Sequence, residues 1–431
     1  MADCDFGIIG GGACGIGCGK FLSSSGYSFE IIEKKDDFGG LWYFGTEHGL
    51  VYASTHLISS KTNTQFSDFP MPADYPHYPN HKLFLKYLRS IAKHYGLYEH
   101  TKFNATVLSA KPLGDEWCLE LDNGDKRTYK YLLVCNGRLN KPIIPDIPGA
   151  FTGEVLHAAD YTTPDLFINK SVLIIGSGNT GCDLAVDAVQ NASRVLHSTR
   201  RGYHYMPKFI DGKPTQDWLM QIGSQFESEQ ALWDYVQKSF KFAGYDGVDY
   251  GLLKPDHAIN QAHPIINSLV LYHIGHGNII PKADVKEYLN NIVSFADGSQ
   301  EQIDLIIYAT GYEIDFPFLD PQDVDIKDDL SNAFLYEFDK KFDNLFYIGF
   351  LNSPSGLGNL ANTSGNLLMA YIKAKEKNND AYKQFLKIKQ GDNPDLGQHR
   401  FVSTKRHAFE VDLWKYIKTL NFLTAKLSED K

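Results

Sequence analysis

The chain has 431 residues, enough for roughly three domains at about 150 residues each, and its 43 % hydrophobic and 22 % charged composition excludes wholesale disorder and collagen-like structure. With 42 lysines and arginines against 52 aspartates and glutamates, the net charge is −10, so no general attraction to nucleic acid or to an anionic membrane surface is expected. No apolar run reaches the ~18 residues of a spanning helix, and the start Met1-Ala2-Asp3-Cys4-Asp5 lacks the basic region of a secretory signal; a cytoplasmic protein without a membrane segment is expected.

In chain order, Phe6 to Ile9 is a short apolar strand running into Gly10-Gly11-Gly12-Ala13-Cys14-Gly15 and then a helix. Phe29 to Glu33 is a second strand. Leu83, Leu85, Leu88, Ile91, Ala92 and Tyr95 fall largely on one face of a helix between Lys82 and Leu97. Strands follow around Ala105 to Ser109, Trp117 to Asp122 and Tyr131 to Cys135, with a turn at Asn123-Gly124. The same order then recurs: Val172 to Ile175, Gly176-Ser177-Gly178-Asn179-Thr180-Gly181, Val195 to Ser198, Ile292 to Ala296, the turn Asp297-Gly298, and Leu305 to Ala309. The repeat implies two copies of one nucleotide-binding unit.

Each GxGxxG has a mechanism. Its first glycine permits the tight turn, its second lets backbone approach a pyrophosphate, and its third lets the helix pack closely on the strand. The helix N-terminus then offers free N–H groups to the anion. In the first copy Glu33 stands 23 residues after Gly10, where a carboxylate accepts from a ribose diol. In the second copy the equivalent place holds Arg200, followed by Arg201. A guanidinium fork binds a 2′-phosphate that a carboxylate would repel, so the second unit suits NADP.

Residues 202–277 are rich in aromatics, carry no nucleotide pattern and read as an insertion in the second unit. The six cysteines match neither a disulfide framework nor a zinc site, and His273 with His276 has HxxH spacing without a third ligand nearby, so no metal is expected.

The segment Phe151-Thr152-Gly153-Glu154-Val155-Leu156-His157-Ala158-Ala159-Asp160-Tyr161 resembles the FxGxxxHxxxY fingerprint of the flavin-containing monooxygenases, and it lies between the two nucleotide units as in that family. Gly39-Gly40-Leu41-Trp42, Ser67-Asp68-Phe69-Pro70, Ser198-Thr199-Arg200-Arg201-Gly202 and Ala309-Thr310-Gly311-Tyr312 extend the resemblance over about Phe6 to Tyr371. It implies an α/β flavoprotein with two Rossmann-like domains in a glutathione-reductase-like arrangement and a helical insertion in the NADP domain. Residues 1–165 would begin the FAD domain, 166–312 form the NADP domain, and 313–431 complete the FAD domain and add C-terminal helices.

By that resemblance Gly10, Gly12, Gly15, Glu33, Lys35, Leu41, Trp42 and Val107 would hold FAD. Gly176, Ser177, Gly178, Asn179, Thr180, Gly181, Ser198, Arg200 and Arg201 would hold NADPH. His157 would fix the interdomain connection by hydrogen bonding. Gly356 to Gly365 reads either as an ordinary helix cap or as a helix N-terminus at the flavin's pyrimidine edge.

The chain departs from the family at Ile58, where many members carry an asparagine three residues before the lysine matching Lys61. Ser59, Ser60 and Asn63 are the candidates for a substitute hydrogen bond and for a catalytic side chain, and His157 is weighed as an acid-base group beside its connecting role. The implied chemistry is formation of a C4a-hydroperoxyflavin from dioxygen and transfer of its terminal oxygen to a soft nitrogen or sulfur of a small molecule. Baeyer–Villiger oxidation is an alternative, against which Tyr161 argues because enzymes of that type usually end the fingerprint in tryptophan. Oxidative decarboxylation and an uncoupled NADPH oxidase, which Ile58 would favour, are others; a non-catalytic redox-responsive module would consume no NADPH. A homodimer is the default oligomeric expectation.

Overall fold

A computed structural model describes residues 2–326, 330–352, 356–404 and 407–429. The chain divides into two compact units. Met1–Gly49, Lys61–Asn140 and Glu313–Lys431 form one, and Leu50–Ser60 with Lys141–Tyr312 form the other.

The first unit is built on a sheet in which Cys4–Ile9 lies parallel to Phe29–Ile32 on one side and to Lys126–Val134 on the other, with Ile8 opposite Ile31 and Leu133. Phe6, Ile8, Ile31 and Leu133 are fully buried, as expected of parallel strands with both faces covered. Lys126–Val134 changes partners along its length. Its first half pairs antiparallel with Glu116–Leu121, Trp117 opposite Tyr129, and its second half pairs parallel with Leu345–Tyr347. The expected helix around Lys82 to Leu97 is His81–His94, capped by the Asn80 side chain, which accepts from Leu83 N at 3.0 Å. Its buried stripe is Phe84, Tyr87, Leu88, Ile91 and Ala92, rotated from the expected face because the aromatic rings, rather than Leu83 and Leu85, fill the core.

The second unit repeats the architecture. Five parallel strands lie in the order Ile279–Lys282, Arg194–Ser198, Ser171–Ile175, Leu305–Tyr308 and Glu154–His157. Alternate residues sort to opposite faces. Val172, Ile174, Val195 and Ile307 pack on Leu184, Ala185 and Ala188 of the helix Asn179–Ala188. Leu173, Ile175, Leu196 and Ile306 pack on Val285, Tyr288, Val293 and Phe295. The long stretch of this unit starts at Lys141, earlier than the expected boundary at 165/166, because Glu154–His157 is the edge strand of its sheet and Gly149–Phe151 pairs with Val285–Asn290. The insertion contributes helices Thr215–Gly223 and Glu229–Phe242 around a small core of Met206, Trp218, Val236, Phe240 and Ile259. Among the described residues no helix is long and apolar enough to cross a membrane.

Within the first unit one carboxyl group is sealed in apolar surroundings. Glu337 accepts from the Ser364 hydroxyl at 2.6 Å, and burial pushes it up to about 7. Its proton is then held in the folded chain at pH values where the unfolded chain has released it. That contribution is complete below the unfolded value of 4.5 and is lost as pH rises through about 7. Glu337→Gln is therefore expected to remove about 3 kcal/mol of the decline in unfolding free energy between pH 5 and 8. Urea unfolding at the two pH values checks this, and parallel declines in both proteins would contradict it.

Candidate functional site

In the first unit the glycine loop joins strand Cys4–Ile9 to helix Ala13–Ser23. Gly10 has φ +108°, and a Cβ there would lie 2.6 Å from Cys135 O. A Cβ on Gly15 would lie 1.8 Å from Gly10 O. Turn and packing thus dictate both residues. Gly12 is different: it caps the helix without a side-chain bond, and a Cβ there would meet nothing nearer than Gly40 Cα at 3.6 Å. Chain packing does not require a glycine at that place, whereas an anion approaching the helix N-terminus does. The residues present therefore fit a dinucleotide pyrophosphate.

Glu33 is buried, accepting from Gly11 N at 2.5 Å through Oε2 and from Lys35 N at 2.9 Å through Oε1. Each oxygen keeps a second acceptor position for a ribose diol. Lys35 Nζ donates to Gly40 O at 2.8 Å, and burial pushes the ammonium down to about 8. This places a desolvated cation beside the Gly12–Gly40 approach. Leu41 and Trp42 follow in a short 3-10 turn, where Trp42 packs edge-on against Phe84 with centroids 4.6 Å apart. Val107 opens the strand Val107–Leu113, just after Ala105 N bonds Glu33 O.

In the second unit Gly176 has φ +117° and a Cβ there would lie 2.4 Å from Ala309 O, while one on Gly181 would lie 1.9 Å from Gly176 O. Gly178 caps helix Asn179–Ala188 without a side-chain bond, so the first N–H groups, with Ser177 and Thr180 beside them in sequence, are open to an anion. The Asn179 side chain is committed elsewhere, donating to Pro264 O at 3.2 Å and accepting from Ile266 N at 2.8 Å, which leaves its backbone for a phosphate.

The three residues expected at the 2′-phosphate also separate. Ser198 is buried and its hydroxyl donates to Ala283 O at 2.7 Å. Arg201 is forked onto Asp256 at 2.8 Å, and His257 together with Arg201 holds the Asp256 carboxyl down at about 2. Arg200 is exposed and makes no hydrogen bond or ion pair among the described residues. Of the two guanidiniums it is the open one.

The fingerprint residues make their contacts within the second unit. Phe151 packs on Tyr288 at 5.7 Å, and a Cβ on Gly153 would lie 2.7 Å from Asp304 O. His157 is buried, accepts from Ala159 N at 3.1 Å through Nδ1, and is pushed below its usual range by burial. Tyr161 stacks on Phe167 at 5.1 Å and donates to Asp187 Oδ2 at 3.0 Å.

Ser60 is fully buried and donates to Asp217 at 2.9 Å, so its hydroxyl is not a spare donor, contrary to expectation. Ser59 belongs with it to the second unit, whereas Asn63 lies in the first. There the Asn63 carbonyl crowds Gly356, the N-cap of helix Leu357–Lys377, where a Cβ would sit 2.4 Å away. No side chain caps that helix. Among the described residues no group of three His, Cys, Asp or Glu could hold a metal.

Sequence reasoning missed Glu337, Asp183 and Asp187. The last two had a signal, since Asn179, Asp183 and Asp187 recur at four-residue spacing on one helix.

A family model, flavin-binding monooxygenase-like, matches residues 5–428. The chain belongs to that family. Rabbit (Oryctolagus cuniculus) flavin-containing monooxygenase 5 is 35 % identical over 335 residues, covering 73 % of this chain and 62 % of the rabbit protein. This chain thus spans about 62 % of the length of that relative. A chimpanzee (Pan troglodytes) protein described as dimethylaniline monooxygenase [N-oxide-forming] 2 is 32 % identical over 362 residues, 78 % of this chain and 66 % of that one. Among solved structures, OTEMO in complex with FAD and NADP superposes with a TM-score of 0.68 at 19 % identity, over 90 % of this chain and 88 % of that one, which shows the two-Rossmann fold. The family's members are FAD-dependent oxidoreductases that draw on NADPH.

Proposed function

We propose that the protein is an NADPH-dependent FAD monooxygenase that places one atom of dioxygen on a nitrogen or sulfur of a small molecule. The observation that carries this reading is the contrast at the ends of two equivalent strands. The buried carboxylate of Glu33 stands in the first unit, and the exposed guanidinium of Arg200, unpaired among the described residues, stands in the second. One suits a free ribose diol and the other a 2′-phosphate, so the two units divide FAD and NADPH between them.

Bound FAD, reduced by NADPH, supplies the oxygen-transfer chemistry. The chain's residues bind and orient. Gly12 and the first N–H groups of helix Ala13–Ser23 receive the FAD pyrophosphate, Lys35 adds a cation beside it, and Glu33 fixes the ribose. Ser177, Gly178 and the backbone of Asn179 and Thr180 receive the NADP pyrophosphate, and Arg200 the 2′-phosphate. No general acid or base is needed from the protein, which agrees with a Ser60 hydroxyl tied to Asp217.

A soft heteroatom is the preferred substrate. Tyr161 at the end of the fingerprint supports this, as does the N-oxide-forming description of the chimpanzee relative. The test is product analysis with NADPH and a thioether, a tertiary amine and a cyclic ketone. Sulfoxide or N-oxide is the expected product, and lactone alone would contradict the assignment.

A further inference from the structure

One face of helix Asn179–Ala188 carries a polar side chain at every fourth position, and each holds a segment from outside the five-stranded sheet. Asn179 bonds the backbone of Pro264 and Ile266. Asp183 accepts from Asn267 Nδ2 at 2.6 Å through Oδ1 and from the Tyr52 hydroxyl at 2.8 Å through Oδ2. Asp187 Oδ2 accepts from both Ser54 Oγ at 2.5 Å and the Tyr161 hydroxyl at 3.0 Å. The stretch Leu50–Ser60, which has no helix or strand of its own, is thereby fastened to the second unit at Tyr52 and Ser54. Ala53 N to Thr162 O at 2.8 Å and Ser60 to Asp217 at 2.9 Å add to its attachment.

These bonds form a continuous mechanical path. The helix N-terminus is the anion-receiving end. The 264–267 segment is pinned to its first turn by Asn179 and to its second by Asp183, and Asp183 in turn grips Tyr52. Asp187, a further turn along, grips Ser54. Carboxylates in partly apolar surroundings make charge-assisted bonds, stronger than neutral ones, so displacement of one partner is passed to the other. Burial also raises both carboxyls above their ordinary range, which makes each dependent on its donors.

We propose that this stripe couples nucleotide occupancy at the N-terminus of helix Asn179–Ala188 to the placement of residues 50–60, with Asp183 and Asp187 as positioning residues. The proposal rests on the assignment of NADP to the second unit. Linkage makes the coupling reciprocal: if bound NADP⁺ steadies the 50–60 segment, then releasing that segment weakens NADP⁺ binding by the same factor.

The experiment is amide hydrogen exchange of the full chain with and without NADP⁺, together with NADP⁺ titration, for the native protein, Tyr52→Phe, Ser54→Ala and Ser54→Thr. In the native protein NADP⁺ is expected to slow exchange across 51–60 several-fold. Tyr52→Phe and Ser54→Ala are expected to lose that slowing and to raise the NADP⁺ dissociation constant by about 3- to 10-fold, with flavin content unchanged. Ser54→Thr, which keeps the hydroxyl, restores native behaviour. Faster exchange over the whole of 141–312 would mean a merely structural role and would overturn the proposal. So would faster exchange confined to 51–60 with unchanged NADP⁺ affinity. Failure of the native protein to bind NADP⁺ would instead remove the nucleotide assignment, and the coupling with it.

Discussion

Replacing Arg200 by alanine is expected to raise the KM for NADPH by about 10- to 100-fold, the equivalent of a charge-assisted phosphate contact, while leaving that for NADH within about twofold. The asymmetry follows from which polar groups are open. Ser198 gives its hydroxyl to Ala283 O and Arg201 is forked onto Asp256, whereas Arg200 is exposed without a partner among the described residues. The 2′-phosphate is the only group that distinguishes the two cofactors, so a contact made to it alone changes one constant and not the other. Arg201→Ala is expected to do less, because its guanidinium must first leave Asp256. Steady-state kinetics with both nicotinamide cofactors checks the whole pattern, and equal effects of Arg200→Ala on both would contradict it.

Gly12→Val is expected to yield a folded protein that retains less than about a tenth of the native flavin, since branched carbons would fill the space at the helix mouth that the pyrophosphate needs. A side chain at Gly12 has room within the chain, its Cβ lying 3.6 Å from Gly40 Cα, so folding is spared. Gly15→Ala makes the opposite case. Its Cβ would fall 1.8 Å from Gly10 O, so the helix must move away from the strand and the unit itself is destabilised. Flavin absorbance per mole of protein and circular dichroism separate the two. A yellow Gly12→Val protein would overturn the placement of the FAD pyrophosphate.

The fold was legible because its signals are periodic and local. Apolar runs such as Val172 to Ile175 and Leu305 to Tyr308 leave few alternatives to buried parallel strands, and the glycine spacings locate the turns between strand and helix. What stayed hidden depended on distant contacts. The Leu50–Ser60 stretch looks like any loop in sequence, and hydrogen bonds to Asp183, Asp187 and Asp217, more than 120 residues away, tie it to the second unit. Ser60 looks available in sequence, yet Asp217, 157 residues away, claims its hydroxyl. Of the adjacent arginines, which is paired and which is open depends on Asp256, 55 residues from Arg201, and charge pattern alone does not distinguish them.

The most direct test of the central claim is the balance between oxygenated product and hydrogen peroxide per NADPH consumed, measured on the flavin-loaded protein under ¹⁸O₂ with a thioether. A monooxygenase is expected to place one labelled atom in the sulfoxide for most of the NADPH oxidised, with the remainder appearing as peroxide because the aliphatic Ile58 side chain offers no hydrogen bond. Peroxide equal to the NADPH consumed, with no labelled product, would contradict the account and make the protein an NADPH oxidase.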